Sequence, residues 1–156
     1  MYRNILIPTD GSDGARRAIR EAVGLADLTG ATLHGLAVVD TREYNTLPES
    51  KWARLRADLD AEREADAAVV REAAEAADVD VVTAVRRGVP HQEILSYVEE
   101  TDCDLVVMGT HGRTGLDRML LGSVTENVVR ASRVPVHVVR IDGGRNEGNE
   151  ESANAS

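Results

Sequence analysis

Residues 105–125 read LVVMGTHGRTGLDRMLLGSVT, and their reading decides the fold class. Leu105-Val106-Val107-Met108 is a short apolar run closed by Gly109. A run of that length and β-branched content reads as a buried strand. At the far end Ser123 is followed at the third position by Glu126, the pattern of a capping box, so a helix begins at Ser123. Between them the glycines fall as G-x2-G-x9-G-S, at Gly109, Gly112 and Gly122. A helix start offers unpaired N–H groups and partial positive charge, and anions bind there. Gly109 and Gly112 let backbone come close to a ligand where a Cβ would stand in the way. Strand, glycine loop and anion-ready helix end describe the ligand crevice of an open α/β sheet. Glycines in such a loop also serve turns alone, and the capped helix start is what favours phosphate. The stretch is neither a G-x-x-x-x-G-K-[ST] loop nor a G-x-G-x-x-G fingerprint, and the single lysine, Lys51, lies far away.

Four further apolar runs flank this stretch, at residues 3–8, 32–39, 79–86 and 134–139. Helical patterns alternate with them. Residues 13–28 line up Ala15, Ala18, Ile19, Ala22, Val23 and Ala26, with Ser12 as N-cap and Gly30 as stop. Residues 48–77 carry a long Ala- and charge-rich helix with the stripe Trp52, Leu55, Leu59, Val69, Ala73, Ala76, interrupted by Glu62 and Asp66. At about 45 Å this helix outruns any five-residue strand and is expected to project past the sheet. Residues 90–101, with Ile94, Leu95 and Val98, and residues 123–132 complete the set. The alternation implies a parallel sheet with helices on both faces, an α/β fold. One domain over 1–141 is expected, followed at 142–156 by a disordered tail with four acids and one Arg.

Composition narrows the partners. The chain has 156 residues, a net charge of −9, no Phe, one Trp and three Tyr. An acidic, aromatic-poor surface argues against nucleic-acid binding. The lone Cys103 excludes an internal disulfide. No apolar run nears the roughly 20 residues of a membrane span, and no signal peptide precedes the first strand, so the expected location is cytoplasmic. Seventeen of the 18 basic residues are Arg. That bias, with the acidity, fits a halophilic protein and equally a GC-rich genome.

With these residues in view, the chain resembles the universal stress protein family over residues 2–141. The resemblance lies in Ile5-Leu6-Ile7-Pro8-Thr9-Asp10-Gly11-Ser12, in Gly88-Val89-Pro90-His91 and in the full 109–125 motif, which marks the ATP-binding branch of that family. It implies a doubly wound, Rossmann-like sheet of strand order 3-2-1-4-5, of the adenine nucleotide alpha hydrolase-like kind, with a bound adenine nucleotide, which is expected to be ATP with Mg²⁺. By the same resemblance Pro8, Thr9 and Asp10 flank the adenosine, and Val38 meets the adenine edge through its backbone. Gly109 and Gly112 border the ribose and phosphates. Gly122, Ser123, Val124 and Thr125 hold the phosphates, and Arg113 neutralises a terminal one.

Each of these residues has a plainer reading beside the functional one. Asp10 either accepts a ribose hydroxyl or faces Mg²⁺ waters, or closes an Asx-turn after the first strand. His111 either polarises a phosphate or takes part in proton transfer, or packs over the glycine turn, which is the reading preferred. His34, His91 and His137 share no metal-ligand spacing and are read as structural. Cys103 is read as a small buried hydrophobe. No pair of groups forms an activated nucleophile with its base. The expected function is therefore an ATP-dependent switch in stress response. A weak ATPase, an AMP-forming transferase, or a dimerisation module with incidental nucleotide are the alternatives. In the 3-2-1-4-5 order the run Val134–Arg140 is an edge strand, apolar and without lysine, which invites an antiparallel homodimer.

Overall fold

The computed structural model describes residues 1–43, 45–110 and 122–140. Strands β1 (Asn4–Pro8), β2 (Thr32–Asp40), β3 (Val81–Gly88), β4 (Leu105–Gly109) and β5 (Val136–Val139) form one parallel sheet in the order β3-β2-β1-β4-β5. Helices α1 (Asp13–Thr29), α2 (Glu49–Ala76), α3 (Pro90–Thr101) and α4 (Ser123–Ala131) connect them, with a short 3-10 turn at Thr41–Glu43. Side-chain alternation along each strand splits the core in two. Ile5, Ile7, Leu33, Leu105, Val107 and Val139 face α1 and α2. Leu6, Leu36, Val106 and Met108 face α3 and α4, against Ile94, Tyr97, Val98 and Val128. Strands that are buried on both faces explain the continuous apolar runs.

Two strands begin two residues later than their apolar runs. Val79 is buried as part of the close of α2: its N–H donates to Ala74 O at 2.9 Å, with Asp78 in the left-handed region. The pairing of β3 begins at Val81. At β5, Ser132 Oγ donates to Val134 O at 2.7 Å, a local turn that holds Val134 and Pro135 ahead of the strand. The stripe of α2 also differs from the one read in the sequence. The buried residues are Ala67, Val70 and Ala74, whereas Val69 is 38% exposed. Alanine in almost every register hid the true period, and the stripe is set by close approach to β2. A Cβ built at Gly35 would lie 2.8 Å from Val70 Cβ, so backbone and helix meet there without an intervening side chain. At about 42 Å, α2 extends past that contact, and its first turns are largely exposed.

His34 fills a buried polar niche between β2, β1 and α3. Its Nδ1 lies 2.8 Å from Tyr97 Oη and its Nε2 lies 3.0 Å from Asn4 Oδ1. A neutral ring satisfies both: Nε2–H donates to Asn4, and Nδ1 accepts the Tyr97 hydroxyl, whose own proton is held more firmly by burial. Burial lowers the pKa of His34 from its ordinary 6.5. The unfolded chain therefore binds this proton more readily than the folded one. The contribution is complete above pH 6.5 and is lost as pH falls below it. Thermal midpoints measured from pH 7.5 down to 5.5 are expected to fall in the wild type, and less steeply in His34→Gln. Parallel profiles would contradict this role. Asp40 and Asp60, held below the carboxylate range first by hydrogen bonds from Arg42 and Arg87, titrate in a more acid window.

Candidate functional site

The chain runs outward from β1 to β3 on one side and then returns to place β4 and β5 on the other. The strand order therefore reverses between β1 and β4, and a crevice opens at their carboxyl ends. A cleft of about 210 Å³ occupies this point, somewhat under the roughly 300–1,000 Å³ of enclosed ligand sites. Pro8, Thr9, Asp10, Val38, Gly109, Gly122, Ser123, Val124 and Thr125 all line it. The sequence reading had singled out each of these nine. Gly112 and Arg113, with His111 and the 142–156 tail, lie outside the described residues. The sequence reading missed Ala15, Leu36, Pro90, Ile94 and Met108, which complete the lining. These are apolar residues inside core-like patterns. The available signals were position, since Met108 stands near a strand's carboxyl end, and for Pro90 its place in the Gly88-Val89-Pro90-His91 motif at a helix start.

The β1–α1 turn is held by its own polar groups. Thr9 N–H donates to Leu36 O at 2.9 Å, fixing the turn against β2. Asp10 Oδ1 accepts the Ser12 N–H at 3.0 Å, an Asx-turn. Ser12 Oγ accepts the Ala15 N–H at 3.2 Å and caps α1.

The start of α4 is different. The residue preceding it in the cap position is Gly122, not Ser123: Gly122 is extended, and its carbonyl accepts the Glu126 N–H at 2.9 Å. The capping box expected from the sequence does not form. Ser123 is already helical, and the Glu126 carboxylate takes Arg130 one turn on, at 2.7 Å. Gly122 brings no capping side chain, and helix geometry gives the N–H groups of Ser123, Val124 and Thr125 no intrahelical acceptor. Two bonds pin this end to β4. Gly122 N–H donates to Thr110 O at 2.6 Å, and Thr125 Oγ1 donates to Gly109 O at 2.9 Å. The Thr125 hydroxyl proton is committed to Gly109, so of its two donors the N–H, at the helix start, is the one that suits an anion. The result is a cleft with apolar walls (Leu36, Val38, Ile94, Met108), an anion-attracting helix end on one side and a carboxylate, Asp10, on the other. Elsewhere, Cys103 is buried, and burial pushes its thiol pKa up, as suits a core residue. Among the described residues no helix is long and apolar enough to cross a membrane.

A family model described as the universal stress protein family matches residues 1–140. Universal stress protein MJ0531 of Methanocaldococcus jannaschii is 39% identical over 141 residues, spanning 90% of this chain and 83% of the relative. The solved structure of MJ0577, from the same organism, superposes with a TM-score of 0.83 at 34% identity, covering 92% of this chain and 99% of that one. A universal stress protein solved in complex with cAMP has a TM-score of 0.65 at 26% identity, covering 89% and 97%.

Proposed function

We propose that this chain, which belongs to the universal stress protein family, binds ATP in the β1/β4 cleft and acts as a nucleotide-dependent switch in stress response. The observation that carries the reading is the α4 start. Three successive N–H groups without intrahelical acceptors stand at the rim of an apolar cleft, a pairing that suits a flat base joined to phosphates. A solved relative with a bound cyclic nucleotide supports the ligand class. In this reading Pro8, Thr9 and Asp10 flank the adenosine, Val38 meets the adenine edge through its backbone, and Gly109 and Gly112 border the ribose and phosphates; Ser123, Val124 and Thr125 hold the phosphates through their N–H groups where Gly122 leaves them room, with Arg113 at the terminal one. Asp10 keeps its turn while meeting a ribose hydroxyl or the waters of Mg²⁺. In this reading the Mg²⁺ rides on the phosphates, as that ion does at nucleotide sites. Acid extraction of freshly purified protein, followed by chromatography, is expected to yield an adenine nucleotide. Protein that carries none and takes none up from millimolar ATP would reject the assignment.

The same reading extends to assembly and location. The chain is taken to work in the cytoplasm as a homodimer built on the edge strand. Among the described residues β5 has one sheet neighbour, β4, and its Val136 and Val138 are half-buried. Pro135, which has no N–H, falls just before the strand and leaves Val136–Val139 able to pair antiparallel with a second copy. A charge of −9 per chain opposes association, and about 1 M salt shortens the Debye length to roughly 3 Å. Light scattering is expected to find a dimer that tightens with salt and loosens in Val138→Lys. A monomer at both dilute and molar salt would refute it.

A further inference from the structure

The long helix touches the cleft's β1–α1 turn at one charged point. Gly11 follows Asp10 in that turn with φ +77°, in the left-handed region, and its N–H donates to Thr9 Oγ1 at 3.4 Å. Opposite it stands Asp66 of α2. A Cβ built on Gly11 would come within 2.4 Å of Asp66 Oδ1. Asp66 is in turn held by Arg63, whose Nε lies 2.9 Å from Oδ2. The two side chains are only 11% and 16% exposed, and these two atoms are shielded from water and held by charge attraction rather than an aligned hydrogen bond. In the sequence Asp66 looked like an interruption of an apolar stripe. In the fold it is the residue on which the turn after Asp10 rests.

We infer that Asp66, oriented by Arg63, is a positioning residue of the nucleotide cleft, linking occupancy of that cleft to α2. The inference rests on the ATP reading proposed above. Pro8, Thr9 and Asp10 line the cleft, and Gly11 is the next residue of the same turn. A ligand that settles against the first three restricts Gly11, and Gly11 has no side chain to absorb the shift before it meets the carboxylate. Coupling of this kind is reciprocal: if the Asp66 contact improves nucleotide binding, nucleotide binding tightens that contact. The exposed first turns of α2 lie on the same rigid helix, so they report the state of the cleft to whatever meets them.

A double-mutant cycle on the full chain tests this. ATP affinity by calorimetry is expected to fall about tenfold in Gly11→Ala and several-fold in Asp66→Ala. The double variant is expected to bind no worse than Gly11→Ala alone, because removing the carboxylate removes the collision. Asp66→Asn keeps the shape and loses the ion pair, and serves if Gly11→Ala does not fold. Hydrogen exchange gives the second readout. Amides of residues 63–70 are expected to gain protection on adding ATP to the wild type, and to gain little in Asp66→Ala or Asp66→Asn. Unchanged ATP affinity in folded Asp66 variants, fully additive losses, or equal ATP-induced protection with only a lower melting temperature would each overturn the inference while leaving the ATP site intact. A wild type that binds no ATP would overturn both.

Discussion

Gly122→Val is expected to weaken ATP binding by two orders of magnitude or more while the protein stays folded. Gly122 has φ −60° and ψ 153°, which valine adopts without strain, so the backbone tolerates the change. The cleft does not, because Gly122 forms part of its wall beside Ser123, Val124 and Thr125. A branched side chain there adds bulk where phosphate must approach the three N–H groups. Each hydrogen bond to a charged group contributes about 1.5–3 kcal/mol. Losing two at the low end costs about 3 kcal/mol, roughly a hundredfold in affinity. The poorer cap subtracts about a further 1 kcal/mol from stability. Calorimetry paired with a melting curve separates the two effects, and a folded variant with wild-type affinity would place the phosphates elsewhere.

Gly35→Val is expected to give the largest loss of stability, about 3 kcal/mol, and a melting temperature about 6–12 °C lower. Even the Cβ would fall 2.8 Å from both Cβ and Cγ1 of Val70, and 3.1 Å from Cγ2. Val70 is fully buried in the first core, beside Ala74 and Ile7, so it has no free space to turn into. The helix must back away over its whole seated length, thinning contacts with β2 and β3 together. Val70→Ala in the same chain is expected to restore part of the loss. If Gly35→Val melts like the wild type, the approach of α2 to β2 is looser than described.

Sequence patterns revealed the sheet because parallel strands buried on both faces leave unbroken apolar runs, as at Ile5-Leu6-Ile7 and Leu105-Val106-Val107-Met108. They revealed α4 because Gly122-Ser123 marks a helix start whichever residue takes the cap. The capping box failed for a local reason: Glu126 has a competing partner four residues on, Arg130. The stripe of α2 was illegible for a different reason. Alanines at 67, 68, 73, 74, 76 and 77 fit several registers equally, and only contact with Gly35 selects one. The cleft's apolar lining was hidden because Leu36, Ile94 and Met108 serve the second core and the cleft at once. Asp66 was misread because a helical pattern scores a buried charge as an interruption, and the turn that explains it is 55 residues away, at Gly11.

The most direct measurement is a calorimetric titration of the full chain with MgATP, set beside MgGTP and beside the same titration of Gly122→Val. Saturable ATP binding near one nucleotide per chain is expected, stronger than GTP and lost or weakened about a hundredfold or more in the variant. No heat of binding with ATP, or equal binding by wild type and variant, would contradict an ATP site at the start of α4.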